Sequence, residues 1–396
     1  MKPSAARVSA YILASFGLLC ALTFNVAAVS RHQHFAWLAE SFWHGRLDIA
    51  AEHIAADSPI DISFRQGRYY WPLEPLPAVA MMPFVPFMGG DAQPIVQIIA
   101  VVGLALLAWR LARLTGFGPD DAVWLAFLFC FGSMAIGVIS MNAPWFVGDV
   151  FAALCLLAAL VEQRSKNRPG VVGLFAGLAW LARLTAGLGT VFFLLCELLG
   201  PAPRRAKMSR LWRLALPVAA GVVLAALYNY LRFGSPFDTG HSGHFLQSGL
   251  PEAARIAQHG LFSLAYVGRN FYYYFLKLPE LAGGWPLVSS EGVSAWLLSP
   301  VFLLAFRARD RRPEFMAAVA ASLPVLAVFL TYFTTGFEQF GPRYLLDILP
   351  YWYLLLLLSF RRPALSFRVK TFIAASAGLN IFLFLAFSLR QLFEFL

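Results

Sequence analysis

Charge is scarce in this sequence. Lys, Arg, Asp and Glu make up 13% of 396 residues, against 59% hydrophobic and 15% aromatic. With a mean hydropathy of +0.67, the chain is more apolar than a soluble core requires, which excludes an ordinary soluble domain and makes the bilayer its solvent. Cysteine is equally sparse. Cys20, Cys130, Cys155 and Cys196 all sit inside apolar runs without metal-ligand spacing, which excludes a disulfide framework or a zinc site. GxGxxG, P-loop and CxxC patterns are missing, and with them any sign of a soluble nucleotide-binding domain. The formal charge of +10 invites a nucleic-acid reading, but the basic residues cluster in RRAKMSR (204–210), RARDRR (307–312) and RRPALSFRVK (361–370), each between two apolar runs. That is the positive-inside signature of a membrane protein and not a nucleic-acid surface.

Helices are the spanning elements to expect, because lipid leaves backbone groups unsatisfied and the apolar runs are too continuous for barrel strands. The runs predict about eleven spans in an all-α polytopic membrane protein: 8–29, 94–113, 121–140, 144–161, 170–182, 185–199, 211–231, 293–306, 314–332, 345–360 and 371–388. The first run is long and lacks a clear small-residue cleavage site, so it reads as a transmembrane helix and not a signal peptide. Leu76 to Gly89 contains Pro77, Pro83 and Pro86 and is too short for a crossing of roughly 30 Å, so it reads as re-entrant or interfacial. The stretch 170–199 has basic flanks at both ends, Arg164, Lys166 and Arg168 before it and Arg204, Arg205 and Lys207 after it. It therefore reads as a hairpin of two short helices with Arg183 near its apex.

This topology puts twenty of the 31 Lys and Arg on the cytoplasmic side with the N-terminus, and fifteen of the 21 Asp and Glu outside. Residues 1–396 form a single membrane domain with two long outer segments, 30–93 and 232–292, and such loops on a rigid scaffold are where function usually lies. The first opens on an amphipathic stretch, Phe35, Leu38, Ala39 and Phe42, closed by Gly45 and expected to lie at the interface. The second carries Tyr272, Tyr273 and Tyr274 between Arg269 and Lys277, which suits an aromatic belt at headgroup level.

The order of GRYYWPLEPLPAVAMMPFVPF (67–87), GLAWLARLT (177–185), YNYLRFGSPFDTGH (228–241) and EQFGPRYLLDILP (338–350), behind a long first outer loop, resembles the GT-C class of membrane glycosyltransferases. The similarity is to bacterial members akin to protein O-mannosyltransferases and lipid A aminoarabinose transferases, and it covers nearly the whole chain. It implies an inner-membrane enzyme that moves a sugar from a polyprenyl-phosphate donor to an acceptor hydroxyl of a lipid, polysaccharide or protein on the outer face. A non-enzymatic lipid-binding or lipid-transport protein of related architecture is the alternative.

Such a transfer needs a carboxylate to take the hydroxyl proton and cationic or hydrogen-bonding groups to hold the leaving phosphate. The class places an acid just after the first helix, where this chain has Arg31 and His32, so the base is expected at Asp61, with Asp57 second and Glu40 third. Asp149 is a second acidic position; in the class it orients the acceptor or, in oligosaccharyltransferases, helps bind a divalent metal, which stays open as a cofactor. Arg183 and Arg343 are the expected phosphate ligands, with Tyr344 and Gln339 as neighbouring donors and Arg68, Tyr69 and Tyr70 as a further donor cluster. Asp347, four residues after Arg343, is placed for an i, i+4 pair. The aminoarabinose transferases carry a Lys near the Pro-rich turn where this chain has Leu73 and Glu74, so that contact does not carry over. His241 and His244 are spaced for a metal but lack a third local ligand.

Overall fold

The computed structural model describes residues 32–56, 61–241, 251–282, 285–310, 312–336 and 338–394. The expected span 8–29, Arg31, Asp57 and His244 lie outside the described residues. The protein is predominantly helical, with 71% helix. Among the described residues five helices are long and apolar enough to cross a membrane: Val85–Leu114, Pro144–Arg164, Arg204–Phe233, Pro313–Thr331 and Phe367–Arg390.

The other expected spans are shorter or broken, each where the backbone loses a helical partner. The run 121–140 is a helix Pro119–Phe131 followed, beyond Gly132, by a short turn of helix at Ala135–Ile139. The run 293–306 is Ala295–Leu298 and then a 3-10 stretch, Pro300–Asp310, which begins where Pro300 has no N–H to continue the α ladder. The run 345–360 starts as 3-10 at Arg343–Asp347 and becomes α only at Leu349–Leu358. The amphipathic stretch forms a helix, His34–Trp43, whose turn is closed by Gly45 at φ +67. Its apolar face is buried in the core through Phe35, Leu38 and Ala39 and does not lie on an open interface.

Three helices position the site. Pro144–Arg164 and Pro169–Ala182 run antiparallel about the tight turn at 165–168, so the start of the first lies beside the end of the second. Pro169–Ala182 also packs backbone to backbone on Arg204–Phe233. A Cβ on Gly177 would stand 2.5 Å from the Pro217 carbonyl oxygen, and one on Gly221 would stand 2.4 Å from the Gly177 carbonyl oxygen. Only glycine permits that approach, the small-residue packing typical of helices in lipid.

A hairpin completes the frame. Ser63–Arg65 pairs antiparallel with Arg68–Tyr70 in the register Ser63↔Tyr70, around a two-residue turn of Gln66 (φ +51) and Gly67 (φ +77). Positive φ at both central residues matches the right-handed twist of the strands. The hairpin thereby holds its two flanks, Asp61 and Trp71, near each other at its open end.

Candidate active site

Arg183 stands at a break in the chain. Its backbone is extended (φ −158°, ψ 128°) between Pro169–Ala182 and the short helix Leu184–Leu188, and this break aims its side chain into the bundle and away from lipid. There Arg183 Nη1 donates to Asp149 Oδ1, and Arg183 Nε lies 3.2 Å from Asp347 Oδ1. Thr185 joins them: its hydroxyl donates to Asp347 Oδ2 at 2.6 Å and accepts from Arg183 Nη2 at 3.4 Å. Arg343 closes the group from the other side, with Nη1 3.8 Å from Asp149 Oδ2. The Tyr344 ring lies beside both cations, 5.3 Å from the Arg183 guanidinium carbon and 4.8 Å from that of Arg343.

Two guanidinium groups and two carboxylates thus share one buried site, and their formal charges cancel. Buried charges persist only when paired and hydrogen-bonded. Among the described residues Arg183 donates to Asp149 and Thr185, whereas Arg343 makes one hydrogen bond, from Nη2 to the Tyr344 hydroxyl at 3.3 Å; the Nε of each lacks a hydrogen-bond partner. Arg343 therefore keeps donor capacity in a place where few acceptors reach it.

Both arginines line a cavity of about 230 Å³. Its polar lining comprises Asp61, Glu74, Arg183, Thr185, Thr239, His241, Thr334 and Arg343, with Tyr344 beside them. Trp71 and Trp145 contribute aromatic walls, and Leu261, Phe262, Val328, Phe329 and Tyr332 an apolar flank. Trp71 is held in place by its neighbours: its ring stacks on His34 at 4.5 Å with an interplanar angle of 3° and meets Trp145 edge-on at 6.1 Å. Burial pushes the His34 imidazole down to about 3, so it stays neutral at physiological pH. Burial acts oppositely on Glu74, pushing its carboxyl up to about 7 against the opposing pull of Arg183 and Arg232.

Of the residues expected from the sequence, Asp61, Arg183, Arg343 and Tyr344 line this cavity, and Asp149 lies behind it on both arginines. Others lie elsewhere. Gln339 is buried under a loop, its Nε2 donating to the carbonyls of Thr335 and Glu291 at 2.8 and 3.1 Å. Arg68 is exposed on the hairpin, 3.7 Å from Asp48, while Tyr69 bridges to Ile49 and Tyr70 packs on Phe233. Glu40 is half exposed and bonded to His53 at 2.9 Å. The i, i+4 pair between Arg343 and Asp347 does not form. A 3-10 turn eclipses residues three apart, so Asp347 falls out of line with Arg343 and joins Arg183 and Thr185.

The metal option can be judged from the donor set. Asp149, the carboxylate that the resemblance offers as a ligand, faces two guanidinium groups, which a divalent cation would have to displace or oppose. The Nδ1 of His241 is 2.9 Å from the Thr239 hydroxyl, and among the described residues no group of three His, Cys, Asp or Glu is placed to hold a metal ion. These residues do not fit a bound cation.

Glu74, Thr185 and Trp71 are among the lining residues to which the sequence assigned no role. The Pro-flanked PLEP segment (72–75) was the available signal for Glu74, since prolines on both sides fix where a carboxylate points.

No protein-family model matches the chain, and no curated protein does. Among solved structures, it is similar to the oligosaccharyltransferase of Archaeoglobus fulgidus in its apo form, with a TM-score of 0.51 and 14% identity over 96% of this chain. The chain spans 55% of the length of that protein. At this identity the likeness is one of fold: the two share a helical membrane architecture.

Proposed function

We propose that this protein is a membrane glycosyltransferase of the GT-C type that moves a sugar from a polyprenyl-phosphate donor to an acceptor hydroxyl. The observation that carries the reading is the pair of guanidinium groups, Arg183 and Arg343, lining one cavity. A phosphate is the ligand whose charge and multiple acceptors suit two guanidinium groups. The apolar flank from Leu261 to Tyr332 suits an isoprenoid chain entering from the lipid.

In this reading the acceptor hydroxyl attacks the anomeric carbon as the bond to the phosphate breaks, inverting that centre. Arg183 and Arg343 hold the departing phosphate, where negative charge grows in the transition state. A carboxylate of the stretch 57–74 takes the hydroxyl proton; Asp61 and Glu74 reach the cavity from it. Asp149 and Asp347 keep the guanidinium groups in place before donor arrives, so that little reorganisation is needed during the reaction.

The orientation follows from charge. The Arg164 and Arg168 turn lies at the opposite end of the Pro144–Arg164 and Pro169–Ala182 helices from Asp149 and Arg183. Positive loops stay in the cytoplasm, so the cavity opens on the non-cytoplasmic face, the bacterial inner membrane being the setting that the resemblance implies. There it meets lipid-linked sugars and no nucleotide pool.

The test is release of undecaprenyl phosphate from a panel of undecaprenyl-phosphate hexoses and pentoses by the full chain in vesicles, with a cell-envelope fraction as acceptor. Release that depends on Arg343 supports the reading. Movement of undecaprenyl phosphate between leaflets without any release would favour lipid transport instead.

A further inference from the structure

Arg232 is a second buried cation, and it serves no carboxylate directly. It lies in the last turn of Arg204–Phe233, 6% exposed, and donates to the Trp71 carbonyl at 2.6 Å, the Asn229 Oδ1 at 2.7 Å and the Tyr228 carbonyl at 3.3 Å. Its guanidinium carbon lies 3.7 Å over the Tyr228 ring and 4.6 Å from that of Phe233. Holding a full charge with neutral acceptors alone is costly, and what the contact fixes is the backbone at Trp71.

That backbone leads into the cavity. Trp71 is 1% exposed and clamped between His34 and Trp145, and Pro72 and Pro75 restrict the chain on either side of Leu73 and Glu74. Glu74 is itself buried yet lines the cavity, and within the described residues no Lys or Arg stands at ion-pair distance from it. Asp149 and Asp347 differ in this respect, because their oxygens face Arg183, Arg343 and Thr185. A carboxylate whose lone pairs already serve cations is a weak proton acceptor.

We propose, on the reading that this cavity transfers sugar, that Glu74 is the catalytic proton acceptor and that Arg232 is the positioning residue that fixes the 71–75 segment carrying it. The new bond forms between the acceptor oxygen and the anomeric carbon. The old bond to the phosphate oxygen breaks, and its electron pair leaves with the phosphate. The hydroxyl proton passes to the Glu74 carboxylate, which later returns it to water. Burial that lifts the Glu74 carboxyl to about 7 makes it a far better base near neutral pH than an ordinary carboxylate, since efficiency peaks when the catalytic pKa matches the working pH.

The test uses the full-length chain in vesicles of phosphatidylethanolamine and phosphatidylglycerol, the same undecaprenyl-phosphate sugar panel, and undecaprenyl phosphate itself as a binding probe. Turnover of the wild type is expected to rise with pH through a midpoint near 7 and to level off above it, because the base acts only when ionised. Glu74→Gln is expected to lose about 100-fold or more in turnover while binding undecaprenyl phosphate within about twofold of the wild type. Glu74→Asp retains part of the activity, and Asp61→Asn keeps the pH midpoint. Arg232→Met moves the midpoint upward, because a nearby positive charge is lost, and Arg232→Lys restores it. An infrared band of a protonated carboxylic acid titrates with the same midpoint and disappears in Glu74→Gln. Wild-type turnover in Glu74→Gln, absence of that band, or an unmoved midpoint in Arg232→Met overturns the assignment while leaving the sugar-transfer reading intact. A wild type that neither binds undecaprenyl phosphate nor releases it from any panel member takes down both.

Discussion

One pair of antiparallel helices carries an arginine–carboxylate contact at each end, and the two ends behave differently. At one end Arg168 reaches Glu162 at 2.9 Å with side chains 54% and 10% exposed. At the other Arg183 reaches Asp149 with side chains 12% and 0% exposed. The chemistry of the contact is the same and the surroundings are not. Water reaches the Arg168 side of the first pair and screens it, so the contact adds little to stability. The second pair sits among Trp, Tyr and Phe side chains, so the loss of either partner leaves an uncompensated buried charge. One contact closes a turn, whereas the other holds a buried guanidinium group at the wall of the cavity.

Substitutions at the two ends should separate these roles. Arg183→Ala is expected to have the largest effect, because it strands Asp149 and Asp347 together: about 3–5 kcal/mol of stability, seen as a lower thermal midpoint in detergent, along with loss of undecaprenyl phosphate binding. Gly177→Ala should come next, at about 1–3 kcal/mol, because the added methyl pushes the Pro169–Ala182 helix off Pro217 and carries Arg183 with it. Its check is thermal unfolding together with donor turnover, and both are expected to fall. Arg343→Ala makes the comparison sharper. Among the described residues Arg343 makes one hydrogen bond and lies 3.8 Å from Asp149, so stability should fall by less than for Arg183→Ala, whereas donor affinity should fall about 10- to 100-fold for the loss of about 1.5–3 kcal/mol of charge-assisted hydrogen bonding. Arg168→Ala should leave both unfolding and donor binding near the wild type.

Much of this arrangement could be read before the structure. Apolar runs and basic turns mark the helices, because lipid and the positive-inside bias act directly on composition. Arg183, Arg343, Tyr344 and Asp149 stood out as polar residues in apolar sequence, and the structure brings them together. What sequence could not supply is distance. The spacing of Arg343 and Asp347 suits a helical pair, but whether a segment forms α or 3-10 structure depends on how Pro342 and the loop before it pack. Arg68, Tyr69 and Tyr70 have the right donors, yet the Gln66–Gly67 turn leaves Arg68 in solvent and directs Tyr70 onto Phe233. Glu74 stood in the sequence as one first-loop carboxylate and as a replacement for a lysine, because its burial at the cavity wall is a property of the tertiary fold. Of the expected spans, several are broken into short pieces at Gly132, Gly189 and Pro300.

The claim that a phosphate is held by the buried arginines is tested most directly by measuring undecaprenyl phosphate binding to the full chain in vesicles, with Arg343→Ala compared against Arg168→Ala. Affinity is expected to fall at least tenfold for Arg343→Ala, in keeping with a charge-assisted hydrogen bond of about 1.5 kcal/mol or more, and to stay unchanged for Arg168→Ala. Equal affinity in both variants and the wild type would contradict it.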